Sequence, residues 1–131
     1  MFASNTDGSL ISVVLGGTDI PLPDNQNQDS FTVNGDNTDF TVPEASRYYI
    51  SYQINTTASV LASSRLLLND EAAIAGSIIT PVLETNQFNN SVIIDLAAED
   101  TISLQPFGLA TAAILIGGGA AGAALTIVRM E

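Results

Sequence analysis

Cysteine, histidine, tryptophan and lysine are all missing from this 131-residue chain. Without cysteine, no disulfide framework and no thiolate metal site can form. Without histidine, the usual near-neutral acid–base group and the commonest metal ligand are gone. Only Arg47, Arg65 and Arg129 oppose 14 acidic residues, and the formal net charge is −11. Binding to a phosphate backbone needs a basic footprint, so no nucleic-acid partner is expected. Anionic lipid should repel the chain as well. Yet 46% of the residues are hydrophobic, too many for a disordered acidic tail. The acids are dispersed rather than blocked, as on a solvated surface. A chain of this length makes one domain with its own core.

The motifs of catalysis are absent too. There is no G-x-S-x-G, and no histidine or lysine to activate a serine. The segment GGGAAG (117–122) is glycine-rich but lacks the lysine of a phosphate loop. Asp70-Glu71 and Glu99-Asp100 each follow an apolar run and read as turns, not as carboxyls facing each other across a bond. NGDNTD (34–39) and DNQNQD (24–29) are rich in oxygen donors. Neither follows the twelve-residue calcium loop, and turns select Asn, Asp and Gly for backbone reasons. The expectation is a non-enzymatic chain with no catalytic, cofactor-binding or metal-binding residues. Two glycosylation sequons, at Asn55 and Asn89, carry weight only in a eukaryotic secretory route.

What the chain does have is period-two patterning. In RYYISYQIN (47–55), Tyr48, Ile50, Tyr52 and Ile54 alternate with polar residues and Tyr49. That is the signature of a half-buried strand, with Tyr49 and Gln53 on the opposite face. SFTV (30–33) and DFTV (39–42) flank an Asn-Gly loop and predict a hairpin. Ile11–Leu15, ended by Gly16-Gly17, predicts an earlier strand, and 24–29 a polar loop. Further strands are predicted over Ala58–Leu68, Ile74–Leu83, Phe88–Leu96 and Thr101–Gln105. In the last of these Ile102 and Leu104 should point inward, with Ser103 and Gln105 outward. Many short strands with turn signals between them indicate an antiparallel sandwich or jelly roll. No repeat and no Gly-X-Y tract is present.

Leu109 to Val128 runs 20 residues without a charge, long enough for a membrane span. Gly117, Gly118 and Gly119 interrupt it, and each glycine costs a helix about 1 kcal/mol relative to alanine. We therefore read it as two apolar strands, Leu109–Ile116 and Ala123–Met130, joined as a hairpin, with no membrane insertion. MFASNTDG, at the N-terminus, is not a secretory signal peptide. Strands this apolar are expected where both faces are buried, and partner subunits would supply the second cover.

FTVPEASRYYISYQINTT (40–57), SSRLLLND (63–70), DTISLQPFG (100–108) and ALTIVRM (124–130) together resemble the C-terminal heads of BclA-type collagen-like glycoproteins of bacterial spores. Those heads belong to the superfamily of tumour necrosis factor and complement C-one-q. The resemblance covers residues 38 to 131 and is weaker over 1–37, where the first strands would lie. Ser46 stands where the wider superfamily often has glycine, a departure that touches the turn and not the fold. The resemblance implies a single ten-stranded jelly-roll domain over 1–131 and a tight homotrimer. It implies a place at the tip of a collagen-like stalk, on the outer face of the spore. The implied role is to bring three chains into register. Sibling families use the same trimer to recognise receptors, which leaves a receptor- or ligand-binding module as the alternative.

Overall fold

The computed structural model describes residues 1–130 and is all-β. Its strands are β1 (Phe2–Asn5), β2 (Leu10–Val13), β3 (Asp24–Asn27), β4 (Thr32–Val33), β5 (Phe40–Thr41) and β6 (Ser46–Val60). They continue with β7 (Ser63–Leu68), β8 (Ala72–Ala73), β9 (Thr85–Leu96), β10 (Thr101–Phe107), β11 (Thr111–Ile114) and β12 (Ala123–Arg129). Ten of them form two five-stranded antiparallel sheets, ordered β3-β1-β12-β6-β9 and β4-β5-β10-β7-β8. The remaining pair, β2 and β11, forms a separate two-stranded ribbon.

The alternation in β6 decides which way its sheet faces. Tyr48, Ile50, Tyr52 and Ile54 are buried, and Tyr49 and Gln53 lie on the other side, as their spacing predicts. They meet Phe40, Leu66, Ile102 and Leu104 of the second sheet in one continuous core. Tyr48 also packs edge-on against Phe31, with ring centroids 5.9 Å apart, and its hydroxyl donates to the Glu44 carbonyl at 2.7 Å. The predicted hairpin forms as β4 and β5, pairing Thr32 with Thr41 and Val33 with Phe40. Asn34 closes its loop by accepting the amides of Thr38 and Asp39, and Asn37 takes a positive φ of 59°.

Several expected boundaries are corrected. Part of the expected 24–29 loop is strand β3, which borders β1 at the sheet edge. An edge strand with water at its flank has no need of apolar alternation. The expected strand Ala58–Leu68 is two strands, because Leu61-Ala62 carries the chain from one sheet to the other. The expected strand Ile74–Leu83 is mostly a loop. Only an isolated bridge, Ser64 to Ile79, lies within it. There Gly76 adopts a φ of 87°, and the Ser77 hydroxyl bonds Ile74 and Leu66 in place of a ladder.

The glycine-linked hairpin does not form either. β11 pairs with β2, and β12 lies centrally between β1 and β6. Gly122 explains the tight exit from the glycine-rich segment: a Cβ there would stand 2.4 Å from the Ile116 carbonyl oxygen. Both strands turn apolar residues inward, Ala113 from β11 and Ala123, Leu125 and Ile127 from β12. Much of the apolar excess that pointed to subunit contacts is therefore absorbed within one chain. Among the described residues, no helix is long and apolar enough to cross a membrane.

Candidate assembly surface

The larger sheet has an outward face as distinctive as its core face. Register places Val128 of β12 opposite Tyr49 of β6, and Tyr49 opposite Ile93 of β9. All three are exposed, Ile93 by 57% and Val128 by 49%. They make one apolar row across three adjacent strands. The next row, two residues along, holds Phe2, Thr126, Ser51 and Ser91, of which Phe2 and Ser91 are exposed. Neutral composition continues across four of its strands: β1, β6, β9 and β12 carry only Arg47, Asp95 and Arg129 as charged residues, and the edge strand β3 adds Asp24. Arg47 is paired with Asp95 at 3.1 Å, and Arg129 with Glu44 at 3.0 Å. On so acidic a chain, an apolar face with few acids is suited to contact another protein.

Of the last two apolar runs, Val128 and Met130 lie exposed at the end of β12, and Ile114 and Leu109 are exposed in and before β11. Only β12 belongs to the face just described. The exposed residues that dominate it, Tyr49 and Ile93, were missed because each stands in a strand recognised by its buried neighbours. The signal was available: in an alternating strand, an apolar residue on the solvent phase is the anomaly.

The acidic turns sit where the sequence suggests. Asn69 and Asp70 both take positive φ between β7 and β8, and Glu99 does so before β10. Asp100 accepts the Ala97 amide and the Asn69 side-chain amide, which makes it a turn-stabilising group. Ser103 and Gln105, expected outward, are on the outward face and are buried there. Residues 18–20 run alongside β10 at its edge, with the Thr18 and Ile20 amides donating to the Pro106 and Leu104 carbonyls. Gln105 bridges this flanking segment to β7: it donates to Asp19 and accepts from Arg65, both at 2.8 Å. The Arg65 guanidinium also lies 4.0 Å from the centroid of the Phe107 ring.

The two-sheet arrangement is that of a tumour-necrosis-factor-like jelly roll. The crystal structure of rabbit GITRL superposes with a TM-score of 0.54 over 77% of this chain and 77% of that one, at 16% sequence identity. The GITRL structures from pika and bushbaby give 0.47 and 0.45, at 15% and 13% identity; the pika match covers 79% of this chain and 87% of that one, the bushbaby match 80% and 81%. At such identities the likeness defines the fold alone. Sequence places the chain more narrowly: the model of the BclA C-terminal domain matches residues 1–131, and the chain belongs to that family. A comparison with curated proteins finds no match.

Proposed function

We propose that this chain is a non-enzymatic trimerisation head, placed at the tip of a collagen-like filament on the bacterial spore surface. Membership of the BclA C-terminal domain family supports the location and the stalk. The observation that carries the assembly is the acid-poor apolar row Val128–Tyr49–Ile93 on the outward face of the larger sheet. Burying the exposed half of such a side chain contributes roughly 1 kcal/mol, and cyclic closure repeats the gain in every copy. Self-association multiplies a charge of −11 per chain, so acids must stay off the contact. The row Val128–Tyr49–Ile93 carries no acid, and the nearby Asp95 is paired with Arg47. Three heads held about one axis would bring their stalk chains into register.

The experiment is a single charge placed in the row. Tyr49→Asp should give a folded monomer, with an unchanged far-ultraviolet circular dichroism spectrum, where the unaltered chain is a trimer. A Tyr49→Asp protein that remains trimeric would remove this face from the contact.

A second reading, a receptor- or ligand-binding module of the same fold, draws on one loop. Val82 is 93% exposed and Leu83 81%, with Ile78 exposed close by. If that loop binds a surface ligand, Val82→Ser with Leu83→Ser abolishes adhesion and leaves the trimer intact. Unchanged adhesion would dismiss the recognition role of the loop.

A further inference from the structure

Away from the apolar face, three acids far apart in sequence converge on the second sheet. Asp19 lies in the segment that runs alongside β10, Asp39 precedes β5, and Asp70 is in the β7–β8 turn. Each offers a carboxylate oxygen, and the three oxygens lie within 4.8 Å of one another. Among the described residues no salt bridge relieves them, since the two that form use Arg47 and Arg129. Arg65 acts on Asp19 from one side, but its guanidinium is engaged by Gln105, the Gly16 carbonyl and the Phe107 ring. Asp36 adds further negative charge near Asp39.

The second observation concerns buried polar atoms. Ser103 is 1% exposed, and its buried Oγ makes no well-formed hydrogen bond; the group it faces is the Asp19 carboxylate, whose charged form it favours. Ile102 and Leu104 of β10 point into the core, so Ser103 stands on the opposite face, the one that bears Asp19. Phe40 opposes Ile102, and the antiparallel register therefore brings Asp39 alongside Ser103. Asp39 Oδ1 is likewise buried and unpartnered. Nearly all buried polar atoms in folded proteins find a partner, and two orphans beside three clustered carboxylates lack the same thing.

We propose that Asp19, Asp39, Asp70 and the Ser103 hydroxyl bind a calcium ion, with water completing its shell. The chemistry selects a hard cation, because every donor is oxygen. Ligands on opposite sides of one calcium stand about 5 Å apart, twice the Ca–O distance, so oxygens within 4.8 Å of one another can share it. Magnesium demands near-ideal octahedral geometry and holds its own water firmly, which disfavours it here. The ion would clip the 18–20 segment, the β4–β5 loop and the β7–β8 turn to β10. No local motif announces the site, because its ligands come from four separate segments.

The test is calorimetric titration of the chelator-treated full chain with calcium chloride at pH 7.5, with melting followed at constant ionic strength. The expected result is one calcium per chain, with a Kd of roughly 10⁻⁴–10⁻³ M, the range of extracellular calcium modules. Melting should shift upward with calcium and not with the sodium chloride that matches its ionic strength. Asp39→Asn should weaken binding at least tenfold and raise the melting temperature of the metal-free protein, since it removes repulsion. Ser103→Ala should weaken binding with little effect on the metal-free melt. Absence of binding heat in the unaltered chain, or an undiminished affinity in both variants, would overturn the site. A response to magnesium equal to that for calcium would show general screening of an acidic protein, and would overturn it too.

Discussion

Tyr52 of β6 reaches across the sandwich to Ser64 of β7, with 2.8 Å between their hydroxyl oxygens, and so ties one sheet to the other. The same hydroxyl lies 2.7 Å from the Ser77 carbonyl, inside the loop that replaces an expected strand. Burial holds the Tyr52 phenol above its ordinary pKa of 10.0, with the Ser64 contact only partly offsetting this, so it is a neutral donor. Tyr52→Phe keeps the ring and strands the Ser77 carbonyl. The expected cost is about 1–3 kcal/mol, the penalty of an unsatisfied buried group. Urea unfolding of both proteins measures it; an unchanged midpoint would mean that another donor replaces the phenol.

Ile50 tests the register of β6. It is fully buried between two tyrosines of the same face. Ile50→Ala should cost about 2–5 kcal/mol, from lost transfer energy and the cavity left behind. Chemical denaturation reads this directly, and a neutral substitution would contradict the core assignment.

The strands legible in the sequence were those with one wet face and one dry face. In β6 and β9 burial follows the alternation of side chains, so pattern and structure agree over most of each strand. Reading failed where tertiary context changes what a residue faces. Ser103 and Gln105 carry polar side chains on the outward phase, yet both are buried, and Gln105 is enclosed by Gly17, Asp19 and Arg65. Leu109–Ile116 and Ala123–Met130 read as a hairpin because they are two apolar runs around a glycine-rich turn, but β11 pairs with β2 and β12 is held between β1 and β6. Crossing points such as Leu61-Ala62 have no composition signal, since the chain stays apolar while it changes sheets. The apolar row was only partly legible: Val128 fell within a segment suspected of subunit contact, whereas Tyr49 and Ile93 did not.

Asp39 gives a pH dependence with a definite sign. Burial, then the neighbouring Asp70 carboxyl, with smaller effects of Asp19 and Asp36, push its pKa up from 3.8 to about 6. The folded state therefore binds a proton more tightly than the unfolded chain does. The resulting stability is fully present below about pH 4 and is lost as the pH rises through about 6. In chelator, the melting temperature of the unaltered protein should fall relative to that of Asp39→Asn between pH 4.5 and 7. Parallel melting curves over that interval would show that Asp39 ionises normally.

The assembly is decided most directly by sedimentation equilibrium of the untagged chain at micromolar concentration, in low and in moderate salt. One chain has a mass of 13.6 kDa. The acid-poor apolar face predicts a species of three chains in low salt, strengthened modestly when added salt screens the repulsion between copies. A monomer under both conditions would contradict the account. A trimer that falls apart as salt rises would contradict it as well, because ion pairs and not apolar packing would then hold the heads together.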